Sequence, residues 1–249
     1  MTTSWDDGHP LDQRVAELLA KYGLTGTFYI PLQNSRPVMS GAEIRRLSET
    51  FEVGAHTVDH VVLTEVSQET AEGQIRESKM KLEEITGKPC EAFCFPKGRF
   101  HRNHVEMVSN AGFLCARTVE LLSSQFPRRR ENIYLVPTTI QTNPHSISTY
   151  VKNLAKRLSL TSLTNLLLRT RSQDWVESAH LMLNFVTRHR GVFHLWGHSW
   201  EIEERDQWSQ LESIFRQMQE LHAIVRCVPN SKLTYSQAIG AQEVVSQPN

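Results

Sequence analysis

The sequence lacks any stretch approaching the roughly 20 consecutive apolar residues that a transmembrane helix requires, so no membrane span is expected in these 249 residues. Its first twenty residues carry Asp6, Asp7, Asp12 and Glu17 and no apolar core of the kind a secretory signal has, which points to a cytoplasmic protein. Net charge is also missing. Lys and Arg total 27 and Asp and Glu total 27, so no overall field draws the chain to nucleic acid or to an anionic membrane. Cysteine is sparse, at Cys90, Cys94, Cys115 and Cys227, with no Cys-x-x-Cys pair. That spacing argues against a disulfide framework and a zinc ribbon and leaves four ordinary core thiols. There is no internal repeat and no low-complexity tract. The one compact basic run, Arg128 to Arg130, reads as a solvated loop beside Pro127. Nothing in the chain speaks to its oligomeric state.

What is present is an alternation. Leu11, Val15, Leu18, Leu19 and Tyr22 recur at helical spacing and are followed by Gly23. "TGTFYI" at 25–30 and "FEVGAHT" at 51–57 read as strands, with a helical stretch around "AEIRRLSET" between them. A long helix is expected from Ser67, its N-cap, to Thr86, with Ile75, Leu82 and Ile85 on the apolar face and Gly87 after it. "EAFCFP" at 91–96 and "FLCARTV" at 113–119 are further strands, separated by a short helix near "HVEMVSNAG". The stretch 120–172 is less regular, with one strand expected at 135–140, and reads as a long insertion. Order returns with a helix over 175–189, the apolar run "VFHLW" at 192–196, a helix carrying Trp208 to His222, a last strand "AIVRCV" at 223–228 and a fraying tail. Strand–helix alternation of this kind predicts a single α/β domain built on a parallel sheet with helices outside it, open or closed into a barrel.

Three clusters could carry chemistry. In "GAHTVDH", His56 and His60 are four residues apart. A strand would hold them about 13 Å apart, so sharing a metal requires the chain to curl after Gly54, as where a strand end becomes a helix start. In "TSWDDG", Asp6 and Asp7 point to opposite faces if the strand continues, and reach one site only if it breaks, a break that Gly8 can supply. An acid added to two histidines makes a set that catalytic zinc commonly uses. In "GVFHLWGHSW", His194 and His198 are too far apart along a strand to share a metal, and His198 sits just past a strand's carboxyl end, where barrel enzymes place catalytic groups. Trp5 and Trp196 read as packing residues, and Glu201, Glu203 and Glu204 as an exposed acidic turn.

Taken together these stretches resemble the polysaccharide deacetylases, carbohydrate esterase family four. "TSWDDG" resembles the family's first motif, "HTVDH" its second, "FCFPKG" at 93–98 its third, and the run ending in His198 its fifth, in the family's order across residues 2 to 200. The resemblance implies a distorted (β/α) barrel of about seven parallel strands with outer helices. It also implies a divalent metal, zinc before others, held by Asp7, His56 and His60, with Asp6 as base, His198 as acid, and the backbone N–H of Lys97 facing the oxyanion. Pro96, Trp175 and Trp200 are its candidate substrate contacts, Asp174 and Trp175 standing where the fourth motif would fall. The implied activity is metal-dependent removal of N-acetyl groups from an amino sugar in a glycan or glycan precursor. Two features depart from the pattern: Cys94 stands where the family has the arginine that orients the base, and Lys97 where it has an aromatic. Arg99 or another cation is left to take the arginine's part. Two other functions fit the same residues: an amidohydrolase acting without metal on a non-carbohydrate amide or cyclic ureide, and a carbohydrate-binding barrel that has lost catalysis.

Overall fold

The first strand, β1 (Thr2–Asp6), is polar in sequence yet buried along its whole length. Its side chains alternate between two interiors. Trp5 faces the helices and packs edge-on against Phe215, whereas the Thr2 hydroxyl donates to Asn230 Oδ1 and Ser4 bonds the ring of His194. One side of the sheet is therefore an apolar helix-covered layer and the other a lumen that accepts polar groups when they are paired.

A computed structural model describes residues 1–143 and 174–233. The elements run β1, α1 (Asp12–Lys21), β2 (Thr27–Ile30), α2 (Gly41–Ser48), β3 (Glu52–Ala55), α3 (Gln68–Thr86), β4 (Ala92–Cys94), α4 (Arg102–Asn110), β5 (Cys115–Arg117), β6 (Arg128–Arg130), β7 (Ile133–Val136), β8 (Ile140–Gln141), α5 (Trp175–His189), β9 (His194–Gly197), α6 (Ser199–Glu204) and α7 (Trp208–Glu220). The N-cap of α3 is Ser67, which accepts from the Thr70 N–H, and left-handed Gly87 ends the helix. No helix among the described residues is long and apolar enough to cross a membrane.

The strands form one sheet in the order β6-β7-β5-β4-β3-β2-β1-β9-β8, parallel throughout except for β6 against β7. Strands β7 and β8 lie near opposite ends of that order, yet only residues 137–139 separate them in the chain. A four-residue step spans roughly 14 Å at most, so the sheet must curl until its two ends nearly meet. The connecting residues bond to both sides, Thr139 N–H to His194 O of β9 and Thr138 N–H to Glu120 O just past β5. The fold is thus a distorted, mostly parallel half-barrel with helices around it. Its lumen holds Tyr29, Ala92, Cys94, Cys115 and Val136, and the larger apolar cluster lies between sheet and helices.

Four expectations need correction. The described sheet has nine strands rather than about seven. The extra ones come from the stretch read as irregular, of which residues 120–143 contribute β6, β7 and β8; residues 144–172 and the tail from 241 fall outside the described residues. The single strand expected at 135–140 is two, because Pro137 has no N–H to continue a ladder. Arg128 to Arg130 form an exposed edge strand, Arg128 pairing with Glu120, rather than a loop. Residues 223–228 form no strand: β1 already has β2 and β9 on its two sides, and this segment bonds Met1 at the strand's start, through Met1 N to Arg226 O at 2.7 Å and Val228 N to Met1 O at 3.0 Å, with Cys227 Sγ 3.5 Å from Thr25 O.

Candidate active site

The carboxyl ends of β1, β3, β4 and β9 open into a cavity of about 370 Å³. Asp6, Asp7, His56, His60, Lys97 and His198 line it, between walls that include Phe95, Val119, Leu121 and Trp196. Asp6 continues the lumen-facing row of Thr2 and Ser4. Asp7 would point the other way, but its own backbone is left-handed (φ 77°), and Gly8 follows at φ 59°. The break therefore begins at Asp7, one residue earlier than Gly8 suggested. Gly8 is still demanded there, since a Cβ on it would lie 2.7 Å from Ile30 Cγ2.

His56 and His60 converge without the helical turn their spacing suggested. Thr57 (φ 64°) and His60 (φ 51°) are both left-handed, and the side chain of Gln74 on α3 accepts from the N–H groups of Val58 and Asp59, holding the bend. His56 is 2% exposed, and its Nδ1–H donates to the carbonyl of Cys94, which leaves the Nε2 lone pair facing inward. His60 Nε2 lies 3.2 Å and His56 Nε2 4.0 Å from Asp7 Oδ1. That oxygen is buried and accepts no hydrogen bond. Burial, and next the neighbouring His60, push His56 down to about 3, and burial also lowers His60 against the pull of Asp7. Two neutral imidazoles and a carboxylate oxygen without a hydrogen-bond donor make a donor set that fits a divalent metal.

Asp6 is handled differently. Its Oδ2 accepts from Nη2 of Arg117, the last residue of β5 and 0% exposed. The same nitrogen lies 2.8 Å from Cys94 Sγ. Arg117 is the partner of Cys94 on the next strand, so the guanidinium stands on the same rung, one strand over. Its plane also lies against Trp196, at 4.5 Å, and Tyr29, at 5.5 Å. Burial works against the charge of Arg117, yet Asp6 ahead of the other neighbours outweighs it and raises the pKa. Burial pushes the Cys94 thiol well up, so it is a neutral neighbour. Arg99, the cation close to Cys94 in sequence, pairs instead with Glu65 on the surface.

His198 follows β9 and caps α6. Its Nδ1–H donates to Glu201 Oε2 at 2.7 Å, and Asn143 Nδ2 (2.8 Å) and Gln141 Nε2 (3.3 Å) hold the same carboxylate. Burial alone would lower His198, but the bond to Glu201 and the charges of Asp6 and Asp7 raise it overall. Glu201, read from sequence as part of an exposed turn, is thus a partner of the histidine. His194 lies in the lumen, bonded to Ser4 and to the Pro137 carbonyl, and burial pushes it down to about 3.

The structure sorts the remaining candidates. Lys97 is left-handed (φ 54°) and its N–H has no hydrogen-bond partner among the described residues. Pro96 is buried between the lining residues Phe95 and Lys97. Trp200 lines the cavity and donates its indole N–H to Asp7 Oδ2. Trp175 does not belong with them: it is 1% exposed in the helix-side core, with Asp174 capping α5, and a sealed ring has no face to offer a substrate. Sequence reading missed Arg117 and Glu201. Their signals were an arginine inside an apolar strand, which needs a buried partner, and a glutamate three residues after His198 at a helix start.

Residues 1–116 match the family model described as Polysaccharide deacetylase. Comparison with curated proteins finds no match. Among solved structures, a Mycobacterium smegmatis protein classed with the polysaccharide deacetylases aligns over 100% of this chain and 94% of its own, with a TM-score of 0.68 and 13% identity. A peptidoglycan deacetylase from Bacillus subtilis aligns over 100% and 96%, with 0.55 and 15%. A family 4 carbohydrate esterase from Streptomyces lividans, in complex with acetate, aligns over 90% and 87%, with 0.52 and 12%. At such identities the structural likeness is one of fold. The match of residues 1–116, just under half of the chain, carries more: this part, which holds both acids, both paired histidines and Cys94, is similar to the polysaccharide deacetylase family.

Proposed function

We propose that the protein is a metal-dependent amide hydrolase that removes N-acetyl groups from an amino sugar in a glycan or glycan precursor. The observation that carries this reading is the division between two adjacent acids in one cavity. Asp6 is held by a guanidinium, and Asp7 is turned toward two neutral histidines. Asp7, His56 and His60 would hold the metal, and the nitrogen and oxygen donors suit zinc. When bound, the metal supplies polarisation of the acetyl carbonyl and a lowered pKa for water.

The rest is done by the chain's own groups. Asp6 Oδ2 is fixed by Arg117 while Oδ1 has no hydrogen-bond partner, so Oδ1 is the oxygen that accepts a proton from the attacking water. The unpaired Lys97 N–H donates to the developing oxyanion, a part Pro96 could not play. His198, whose pKa the bond to Glu201 raises, gives a proton to the departing amine. Names of structural neighbours support an acetylated carbohydrate as substrate, among them a deacetylase with substrate and a peptidoglycan deacetylase.

The test is acetate release from a panel of acetylated amino sugars, polymers and lipid- or nucleotide-linked precursors, with and without added zinc. Asp6→Asn should retain zinc and lose turnover. Full activity in that variant would remove the role given to Asp6, and no acetate from any member of the panel would remove the proposed reaction.

A further inference from the structure

We propose that Trp200 is a positioning residue for the metal-ligating carboxylate: its indole N–H holds Asp7 Oδ2, so that Oδ1 alone is presented to His56 and His60. The inference rests on the reading of Asp7, His56 and His60 as a metal site. Trp200 is the second residue of α6, and its Nε1 lies 3.0 Å from Asp7 Oδ2. The other oxygen, Oδ1, is the one near both imidazoles, and it accepts no hydrogen bond. A carboxylate with both oxygens free can rotate or bind through either. Here one oxygen is tied to a donor, and the carboxylate is left with a single ligating position.

The choice of donor matters. An indole N–H donates, cannot accept, and carries no charge, so it orients the carboxylate without adding a cation beside a divalent ion. His198 Nε2, 3.9 Å from the same oxygen, is the group that would compete for it. The indole is itself clamped. Arg36, from the loop between β2 and α2, lies 3.5 Å over the Trp200 ring and pairs with Glu204 at 2.9 Å, and the His198 ring is 5.1 Å away. A tryptophan serving only as a sugar platform would gain nothing from an N–H aimed at Asp7.

The experiment uses metal-free protein titrated with zinc alone, by calorimetry in competition with a chelator, with melting curves of each apo-protein as the control. Trp200→Phe keeps the ring and its stacking on Arg36 but removes the donor. It should weaken zinc binding about 10- to 100-fold, the usual effect of losing a partner that orients a metal ligand. Trp200→Ala should be no better than Trp200→Phe, because the N–H rather than the ring is what counts. Arg36→Ala, which leaves the indole in place but loosens it, should weaken binding less than Trp200→Phe, and it tests the same clamp if the Phe variant melts early. Zinc affinity equal to wild type in Trp200→Phe, with a fall only in Trp200→Ala, would overturn the inference and leave the metal site standing. Wild type that binds no zinc, like His56→Ala, would remove the metal site and the inference with it.

Discussion

Replacing Arg117 by Met should damage both stability and turnover, and each loss can be sized from the structure. Arg117 is fully buried, its Nη2 bonded to Asp6 and set against Cys94, with its Nε and Nη1 unpartnered and two aromatic rings flanking the guanidinium. Methionine fills much of the space but leaves the buried Asp6 carboxylate unpaired. Removing one partner of a buried pair costs about 3–5 kcal/mol. For a chain of this length each kcal/mol lowers the melting temperature by roughly 2–4 °C, so differential scanning calorimetry should show a fall of roughly 6–20 °C. Pairing predicts non-additivity as well: Asp6→Asn combined with Arg117→Met should cost less than the two single changes summed, since no lone charge remains. On activity, a misplaced base is worth about a 100-fold fall in kcat, read as acetate release at saturating substrate. Arg117→Lys should fall between, because an ammonium keeps the charge and loses the planar fork. An Arg117→Met protein that melts within about 2 °C of wild type and turns over normally would refute the assignment of Arg117 as the guide of Asp6.

Glu201→Gln removes the nearest group that raises His198, so the His198 pKa should fall. The sign follows from the folded value lying above the ordinary one near 6.5: the stabilisation is complete below that pH and lost as pH rises through the folded pKa. The variant should therefore lose stability relative to wild type at low pH, and the gap should close on the alkaline side. NMR titration of His198 in metal-free protein and the basic limb of the pH–rate profile should both move to lower pH; an unmoved titration would count against the pair. Gly54→Ala should destabilise, since its Cβ would stand 2.6 Å from the Tyr29 ring and 2.9 Å from Ala92 O. Tyr29 is sealed in the lumen with its hydroxyl bonded to Asn230, so neither neighbour can yield. The cost is about 1–3 kcal/mol, and thermal melting at or above wild type would contradict it.

Local signals carried far in this chain. Ser67 and Gly87 bracket α3 because an N-cap and a left-handed C-cap are local chemistry, and "TFYI" is a strand because every one of its residues is buried. The convergence of Asp7, His56 and His60 was legible as a possibility; the means of convergence was not. Left-handed backbone at Asp7, Thr57 and His60 is carried by residues other than glycine, and the hold of Gln74 on the bend comes from a helix side chain 16 and 15 residues beyond the Val58 and Asp59 it binds. Arg117 was hidden for another reason. It substitutes for a residue on a neighbouring strand, and a rung shared by β4 and β5 exists only after the strands pair. Pro137 was plain in the sequence, but its consequence, a strand divided between the two ends of one sheet, required the curl.

The pairing of β1 with β9 joins Thr2 to His194, and directly after β9 the chain delivers His198, Trp200 and Glu201. Asp7, His56 and His60 lie within the first 60 residues and are linked through neighbours β1, β2 and β3. The cavity is therefore assembled from contacts of very different sequence separation, and long-range closure is the slow step of folding. During refolding, weak affinity for zinc should return with the early strands, and full affinity and hydrolysis only when β9 pairs with β1 and brings Trp200 and His198. A lag between those two signals would time the closure of the barrel, making the proton donor a clock for the final stage of folding.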